Sequence, residues 1–149
     1  MYILHKKQVI PISLNESWDF FTSPHNLKFI TPIHMNFDII EGGDDKIYPG
    51  QIICYKVSPM LRLRLDWVTE IAQVVDRQFF IDEQRFGPYS FWHHKHFFRE
   101  VEGGTEIEDL VHYKLPLSFL GNLIHSVSVK KQLEHVFDFR QQKLIELFG

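Results

Sequence analysis

The side chains with the chemistry of a functional site are concentrated in the stretch Phe79–Arg99, where three histidines and the pair Asp82-Glu83 stand among many aromatic residues. His94 and His96 are two residues apart, so both imidazoles would point to the same side of a β-strand. An imidazole oriented by a carboxylate is the usual arrangement of a general base. A few polar groups among apolar ones also form the wall of a small-molecule cavity. The stretch therefore predicts a pocket that binds or transforms a ligand.

Three interpretations of these polar residues are open. In the first, Asp82 and Asp109 fix the tautomers of buried histidines and form a structural network. In the second, His94 or His96 is a general base, and one of the two aspartates orients it. In the third, the two histidines bind a metal with a nearby carboxylate as a third ligand, but their spacing alone is weak evidence because three or four convergent ligands are needed. We expect the first for at least one histidine, with no metal and no organic cofactor.

Composition and charge argue against several other classes of function. The net charge is −3 and no run of Lys or Arg forms a basic stripe, which disfavours nucleic-acid binding. Cys54, the only cysteine, lies away from the histidines, and no serine stands in a nucleophile elbow. The apolar start Met1–Leu4 ends at His5-Lys6-Lys7, and no segment has membrane-spanning length, so we expect no membrane insertion. A single cysteine is typical of a reducing compartment and predicts a cytoplasmic location.

Most of the chain alternates between apolar and polar residues with a period of two, which indicates β-strands. Prolines and glycine-rich turns separate these segments. The predicted strands are Tyr2–Ile12, a segment after His34 in which Met35, Phe37 and Ile39 alternate, Ile53–Val57, Leu61–Ile71, Phe79–Arg85, Trp92–Val101 and Thr105–Leu115. Their order predicts one antiparallel meander with one apolar face.

The remaining segments have the three- and four-residue period of helices. Ser13 and Glu16 match a capping box, which predicts a short helix after the first strand. Pro24 fits the first position of a second short helix, which ends before Pro32. The segment Asn122–Phe148 predicts one long amphipathic helix. Because the sheet is the only wide apolar surface available, we expect this helix to pack across it.

The turns predict a strand register. A two-residue loop at Asp76-Arg77 would place Ile71 opposite Asp82 and Thr69 opposite Gln84. A bulged loop at Gly87 would place Asp82 beside His94 and Gln84 beside Trp92, although a one-residue slip there would reverse the faces. A last turn at Glu102–Thr105 would place His94 opposite Tyr113, His96 opposite Val111 and Phe98 opposite Asp109. These registers put nine candidate ligand-binding residues on one face: Trp67, Thr69, Asp82, Gln84, Trp92, His94, His96, Asp109 and Tyr113.

The opposite face of the His94 strand is expected to differ from the cavity face. We expect His93 to be solvated there. Phe91 and Phe97 are candidates for packing under a neighbouring element or for an oligomer contact, such as a homodimer.

Spaced motifs along nearly the whole chain carry a family resemblance. They are Trp18-Asp19-Phe20-Phe21, Asn26-Leu27, Thr31-Pro32, Asp82-Glu83-Gln84, Gly87-Pro88-Tyr89, Trp92-x-His94-x-His96, Gly104-Thr105, Asp109 and Tyr113-x-Leu115-Pro116. With these motifs the chain resembles the SRPBCC superfamily, which includes START lipid-transfer domains, polyketide cyclases and birch-pollen-allergen-like proteins. The resemblance is closest to a bacterial branch without an agreed activity. It implies a single α+β domain over residues 1–149 with the helix-grip fold, a curved seven-stranded antiparallel sheet wrapped around a long C-terminal helix.

The function that follows is non-catalytic binding of a small apolar or aromatic molecule between the sheet and the long helix. Members of the superfamily grip apolar ligands there, and the resemblance implies the same site. One alternative is an enzyme of the cyclase or dehydratase type that uses His94 or His96 with Asp82 or Asp109. Another is a protein-interaction module in which Phe139, which lies off the main helical stripe, is exposed. The fold alone fixes none of these activities.

Overall fold

The computed structural model describes residues 1–44, 46–59, 63–116 and 123–149. Within these residues the strands are β1 (Tyr2–Ile10), β2 (Asp38–Glu41), β3 (Ile52–Val57), β4 (Leu65–Val75), β5 (Phe79–Phe86), β6 (Phe91–Val101) and β7 (Gly104–Lys114). The α-helices are α1 (Leu14–Phe21) and α2 (Leu123–Phe148), and two 3₁₀ helices, Pro24–Ile30 and Ile33–Met35, lie between α1 and β2.

The seven strands form one curved antiparallel sheet in the order β1-β7-β6-β5-β4-β3-β2. Consecutive strands are neighbours except β1, which pairs with β7 at one edge. Gly104 permits the turn into β7 to approach β1, since a side chain there would place its Cβ 2.0 Å from the carbonyl oxygen of Ile10. The predicted helix-grip architecture is confirmed.

Helix α1 begins as predicted at a capping box. The Ser13 hydroxyl accepts a hydrogen bond from the Glu16 amide at 3.2 Å, and the Glu16 carboxylate accepts one from the Ser13 amide at 3.0 Å. The second short helix is also present, as a 3₁₀ helix with Pro24 at its first position. These short helices cover the end of the sheet where Trp18 packs edge-on against Phe98, with ring centroids 5.3 Å apart.

The long helix α2 spans 26 residues, about 39 Å at 1.5 Å per residue. Its buried positions recur at steps of four, four, three and four residues: Val129, Leu133, Phe137, Arg140 and Leu144. The apolar members pack against sheet residues such as Leu4, Val111 and Ile107. Burying each large side chain contributes about 1.5–3 kcal/mol, so this stripe fixes the helix across the sheet. Asn122, the predicted first residue of the helix, lies outside the described residues.

Two predicted strand starts were wrong. The strand after His34 begins at Asp38 rather than Met35, because Met35 belongs to a 3₁₀ turn that ends in the left-handed residue Asn36, at φ 46°. Strand β4 begins at Leu65, where it pairs with Val57, the last residue of β3. No partner strand extends further along the described residues, and Leu63 is 59% exposed. Leu61 and Arg62 lie outside the described residues.

The predicted register between β4, β5 and β6 is confirmed at the positions that matter. Ile71 lies opposite Asp82, Thr69 opposite Gln84, and Asp82 opposite His94. The first two pairs match the prediction because two deviations from the predicted hairpin cancel each other. The turn after β4 is one residue longer than predicted, with Val75 opposite Phe79, and a bulge between Ile71 and Gln73 restores the register.

The predicted register between β6 and β7 was wrong by two residues. His94 lies opposite Val111, His96 opposite Asp109 and Trp92 opposite Tyr113, because the turn contains only Glu102 and Gly103. A slip of two leaves every side chain on its predicted face, since the period of a strand is two residues. The slip nevertheless brings Asp109 directly beside His96, which determines the chemistry of the site.

Candidate functional site

The sheet, the first 3₁₀ helix and α2 enclose a cavity of about 190 Å³. Most of its wall is apolar: Ile53 and Val57 come from β3, Ile71 from β4, and Leu133 and Val136 from α2. Another part of the wall consists of aromatic rings, and a further part is a cluster of charged side chains. This is the combination of apolar surface and placed polar groups that small-molecule sites have.

Trp67, Tyr89 and Trp92 form the aromatic part of the cavity wall. The indoles of Trp67 and Trp92 meet edge to face with centroids 5.1 Å apart, and Tyr89 lies 4.9 Å from Trp92 and 5.5 Å from Trp67. Such arrangements stabilise aromatic pairs beyond their buried area. The three rings therefore pack against one another as one aromatic wall.

The Gln84 side chain stabilises the turn that places Tyr89 on the cavity wall. It donates a hydrogen bond to the Tyr89 carbonyl at 2.7 Å and accepts one from the Tyr89 amide at 3.1 Å. The turn passes through Gly87 at φ 156°, where a Cβ would lie 2.6 Å from the Gln84 amide oxygen. Gln84 thus shapes the site without lining it.

The charged cluster contains two imidazoles between two carboxylates. The rings of His94 and His96 lie with centroids 3.6 Å apart and are tilted by 32° to one another. On one side, Asp109 Oδ1 lies 2.7 Å from His94 Nε2 and 3.2 Å from His96 Nδ1. On the other side, Asp82 Oδ2 lies 2.6 Å from His96 Nε2 and 3.6 Å from His94 Nδ1. Arg140 of α2 donates to Asp109 Oδ1 from Nη1 at 3.3 Å and so joins the helix to the sheet.

These contacts keep both carboxylates ionised. Burial opposes the charge of Asp109, but Arg140 and the two imidazoles outweigh it and hold the pKa of this carboxyl well below its ordinary value. Burial likewise opposes the charge of Asp82, and its contacts with His94 and His96 lower its pKa. The cluster therefore has two fixed negative charges in an otherwise apolar interior.

The pKa values of the two histidines shift in opposite directions. Burial, together with the neighbouring His96, lowers the pKa of His94 to about 4. Burial also disfavours the charge of His96, but its contacts with Asp109 and Asp82 prevail and raise its pKa. His94 is the neutral member, so its Nε2 donates to Asp109 and its Nδ1 has a lone pair.

Asp82 is the charged group most open to the cavity. Its side chain retains 17% exposure, compared with 5% for His94 and 9% each for His96 and Asp109. Burial raises the pKa of Tyr55, and the charge of Asp82 adds to this effect, so a neutral phenol stands near the carboxylate. Thr69, also on the wall, is 4% exposed.

The structure brings most of the nine predicted residues together. Six of them line the cavity: Trp67, Thr69, Asp82, Trp92, His94 and His96. Asp109 lies directly behind the histidines. The expectation that Gln84 and Tyr113 also face the cavity was wrong. Gln84 holds the Gly87 turn, and Tyr113 is 2% exposed in the core beside Leu4 and Leu115.

Arg140 lines the candidate site, and the sequence interpretation missed it. Its side chain is 8% exposed and its guanidinium lies 4.7 Å from the Phe137 ring centroid. A signal was available, because Arg140 stands three residues after Phe137 and four before Leu144, on the apolar stripe. A charged residue at such a position requires a buried partner. Tyr55 and Phe137, on the cavity wall, were also missed because apolar core and cavity residues have the same pattern.

The structure also places the residues that were expected to lie away from the cavity. His93 lies on the outer face of β6, half-buried, with its Nδ1 2.7 Å from the Glu83 carboxylate. Phe91 is 41% exposed, whereas Phe97 is half-buried against Phe79. Phe139 is half-buried rather than exposed, with the Lys143 ammonium 5.8 Å from its ring centroid. None of the described helices is long and apolar enough to cross a membrane.

Solved structures share this fold over almost the whole chain. Protein CV1439 from Chromobacterium violaceum aligns with a TM-score of 0.73 and 9% identity, covering 99% of this chain and 98% of its own. The structure of Ara h 8.0201 aligns with a TM-score of 0.63 and 12% identity over 97% and 98%. Ginseng major latex-like protein 151 from Panax ginseng aligns with a TM-score of 0.60 and 12% identity over 91% and 94%.

These likenesses concern the fold. Ara h 8.0201 and the ginseng protein have the same helix-grip fold as this chain, so the fold that the resemblance implied is confirmed. No protein-family sequence model matches the chain, and no curated protein matches it.

Proposed function

We propose that this chain binds a small hydrophobic or aromatic molecule, without transforming it, in the cavity between the sheet and α2. The observation that carries the proposal is the cavity itself, about 190 Å³ with a mostly apolar wall. An apolar cavity of roughly 150 Å³ is sufficient to bind benzene. A molecule with one or two rings therefore matches the space.

The polar cluster gives such a ligand an orientation. The aromatic residues Trp67, Tyr89 and Trp92 line the same cavity as Asp82, whose side chain is 17% exposed. Oδ2 of this carboxylate is hydrogen-bonded to His96, and a carboxylate has enough lone pairs to accept a further hydrogen bond from a donor on the ligand. A buried polar group without a partner costs about 1–3 kcal/mol, so a matching donor contributes specificity.

Two features favour binding over general-base catalysis. His94 and His96 are 4% and 7% exposed, and each is hydrogen-bonded to a carboxylate. The neutral histidine, His94, is the least exposed member of the cluster. A general base must reach the proton that it abstracts. The arrangement therefore supports a fixed polar end for the cavity.

A matched pair of helix variants tests the proposal. Val136 lines the cavity from α2, whereas Val127 is 50% exposed on the same helix. Val136→Trp should fill the cavity and weaken the binding of a fluorescent naphthol at least tenfold, and Val127→Trp should leave it within twofold of the wild type. The measurement is a fluorescence titration on variants with wild-type circular dichroism. Wild-type protein that does not bind naphthol saturably, or a Val136→Trp variant that binds it normally, contradicts cavity binding.

A further inference from the structure

We propose that the polar end of the cavity binds one divalent transition-metal ion, with Asp82, His94 and His96 as its protein ligands. This replaces the expectation from the sequence, where the spacing of two histidines was the only evidence. The structure adds a third ligand group on the neighbouring strand and a carboxylate behind the histidines. The proposal is independent of small-molecule binding.

The three side chains present convergent ligand atoms. One ligand atom from each of Asp82, His94 and His96 lies within 4.8 Å of the others. Metal–ligand bonds of 2.0–2.2 Å place the ligands of a tetrahedral ion roughly 3.3 Å from one another. Asp82 Oδ2 already lies 3.6 Å from His94 Nδ1. The same oxygen lies 2.6 Å from His96 Nε2. This distance must increase by less than about 1 Å to reach the ligand-to-ligand spacing of a tetrahedral ion.

The outer partners of the histidines are those of a metal site. Metal-binding imidazoles almost always donate their second N–H to a carboxylate or carbonyl, which fixes the tautomer. Asp109 occupies this position for both rings, 2.7 Å from His94 Nε2 and 3.2 Å from His96 Nδ1. The His96 Nδ1 contact lacks the geometry of a hydrogen bond, so this buried nitrogen has no partner among the described residues. A small rotation of the ring towards an ion would align it with Asp109.

Once both imidazoles are neutral, the two carboxylates of the cluster also favour a cation. With both imidazoles neutral, as metal ligation requires, Asp82 and Asp109 contribute two negative charges and Arg140 one positive charge. The interior then has one uncompensated negative charge, which is costly in an apolar environment. A divalent ion neutralises it and leaves one positive charge for a fourth ligand.

The ligand types indicate which metals fit. Two imidazole nitrogens and one carboxylate oxygen suit Zn²⁺, Co²⁺ or Fe²⁺ better than Mg²⁺ or Ca²⁺, which prefer oxygen alone. Three protein ligands leave a further position for water or another molecule, as in catalytic zinc sites. Asp82, His94 and His96 all line the cavity, so this position would face it.

Cobalt titration of chelator-treated protein tests the site. We expect one equivalent of Co²⁺ with the visible absorption of a tetrahedral N/O site, displaceable by Zn²⁺, and a higher melting temperature with Zn²⁺, since an ion that binds only the folded state stabilises it. His94→Ala and His96→Ala should abolish the spectrum. Asp82→Asn, which keeps the volume and guards against a folding defect, should weaken binding at least tenfold. Asp109→Asn should weaken it 10–100-fold, because it only supports the ligands.

Two control variants separate this site from surface histidines. His93→Ala removes an imidazole on the outer face of the same strand, and His135→Ala removes one of an exposed stacked pair, 6.1 Å from His34. Both should bind Co²⁺ as the wild type does. Binding that survives in folded Asp82→Asn and His94→Ala, binding lost in His135→Ala, or no stoichiometric binding to the wild type at micromolar Co²⁺ overturns the proposal.

Discussion

Replacing Arg140 by methionine removes the guanidinium that contacts Asp109 while keeping most of the side-chain volume. Arg140 is 8% exposed, and its Nη1 donates to Asp109 Oδ1 at 3.3 Å. The substitution leaves the Asp109 carboxylate, 6% exposed, with the imidazoles of His94 and His96 as its remaining partners. The variant therefore measures what the guanidinium contributes to the stability of a buried anion.

The expected cost is about 3 kcal/mol. Breaking a buried ion pair by removing one partner costs roughly 3–5 kcal/mol, because the other charge is left uncompensated. The lower end applies here because His94 and His96 still contact the carboxylate. For a chain of this size each kcal/mol shifts the melting temperature by about 2–4 °C, so the variant should melt roughly 6–12 °C lower. A loss of that size is a large part of a typical stability of about 5–15 kcal/mol.

Urea unfolding followed by circular dichroism measures this cost, and two further variants define its origin. Lys143→Met on the same helix breaks an exposed pair with Glu146 and should cost about 0–1 kcal/mol. The Arg140→Met/Asp109→Asn double variant removes both charges, so it should be more stable than the sum of the single costs by more than about 1 kcal/mol. A loss below about 1 kcal/mol for Arg140→Met, or strictly additive costs, would refute an electrostatic role for Arg140.

Two other predictions address the aromatic wall and the closure of the sheet. Nitrobenzene should quench tryptophan emission saturably, and a Trp67→Phe/Trp92→Phe variant should lose most of that response; unchanged quenching would assign it to Trp18 and refute the wall. Gly104→Ala should lower the free energy of unfolding by about 2 kcal/mol or more, because φ is 145° and the new Cβ would lie 2.0 Å from a carbonyl oxygen of β1. Gly103→Ala is the matched control at φ 89°, with no atom within 4 Å of the new Cβ, and a larger loss in this control would contradict the steric argument.

Most of the fold follows from local patterns that tertiary structure did not override. The capping box of Ser13 and Glu16, the alternation in β6 and the stripe of α2 each correspond to the element that they predicted. Strand ends were less predictable because they depend on the partner. Leu65 starts β4 where β3 ends, and the sequence before Leu65 contains no sign of that.

The sequence predicted which face of the sheet carries the site, but it did not predict which side chains contact one another there. Alternation placed His94, His96 and Asp82 together, and even a register error of two residues in β7 kept Asp109 on that side. The position of Asp109 beside His96 depends on the length of the Glu102-Gly103 turn, which the glycines allowed in more than one form. Arg140 was missed because a charged residue on an apolar stripe resembles a break in the pattern until its partner is known.

The most direct test of ligand binding between the sheet and α2 is an intermolecular nuclear Overhauser measurement with methyl-labelled protein and bound naphthol. Cavity binding predicts contacts from the ligand protons to Ile71 of β4 and to Val136 of α2 in the same complex, since both side chains line the cavity. Contacts confined to exposed apolar side chains, such as Ile33, which is 93% exposed, would contradict it.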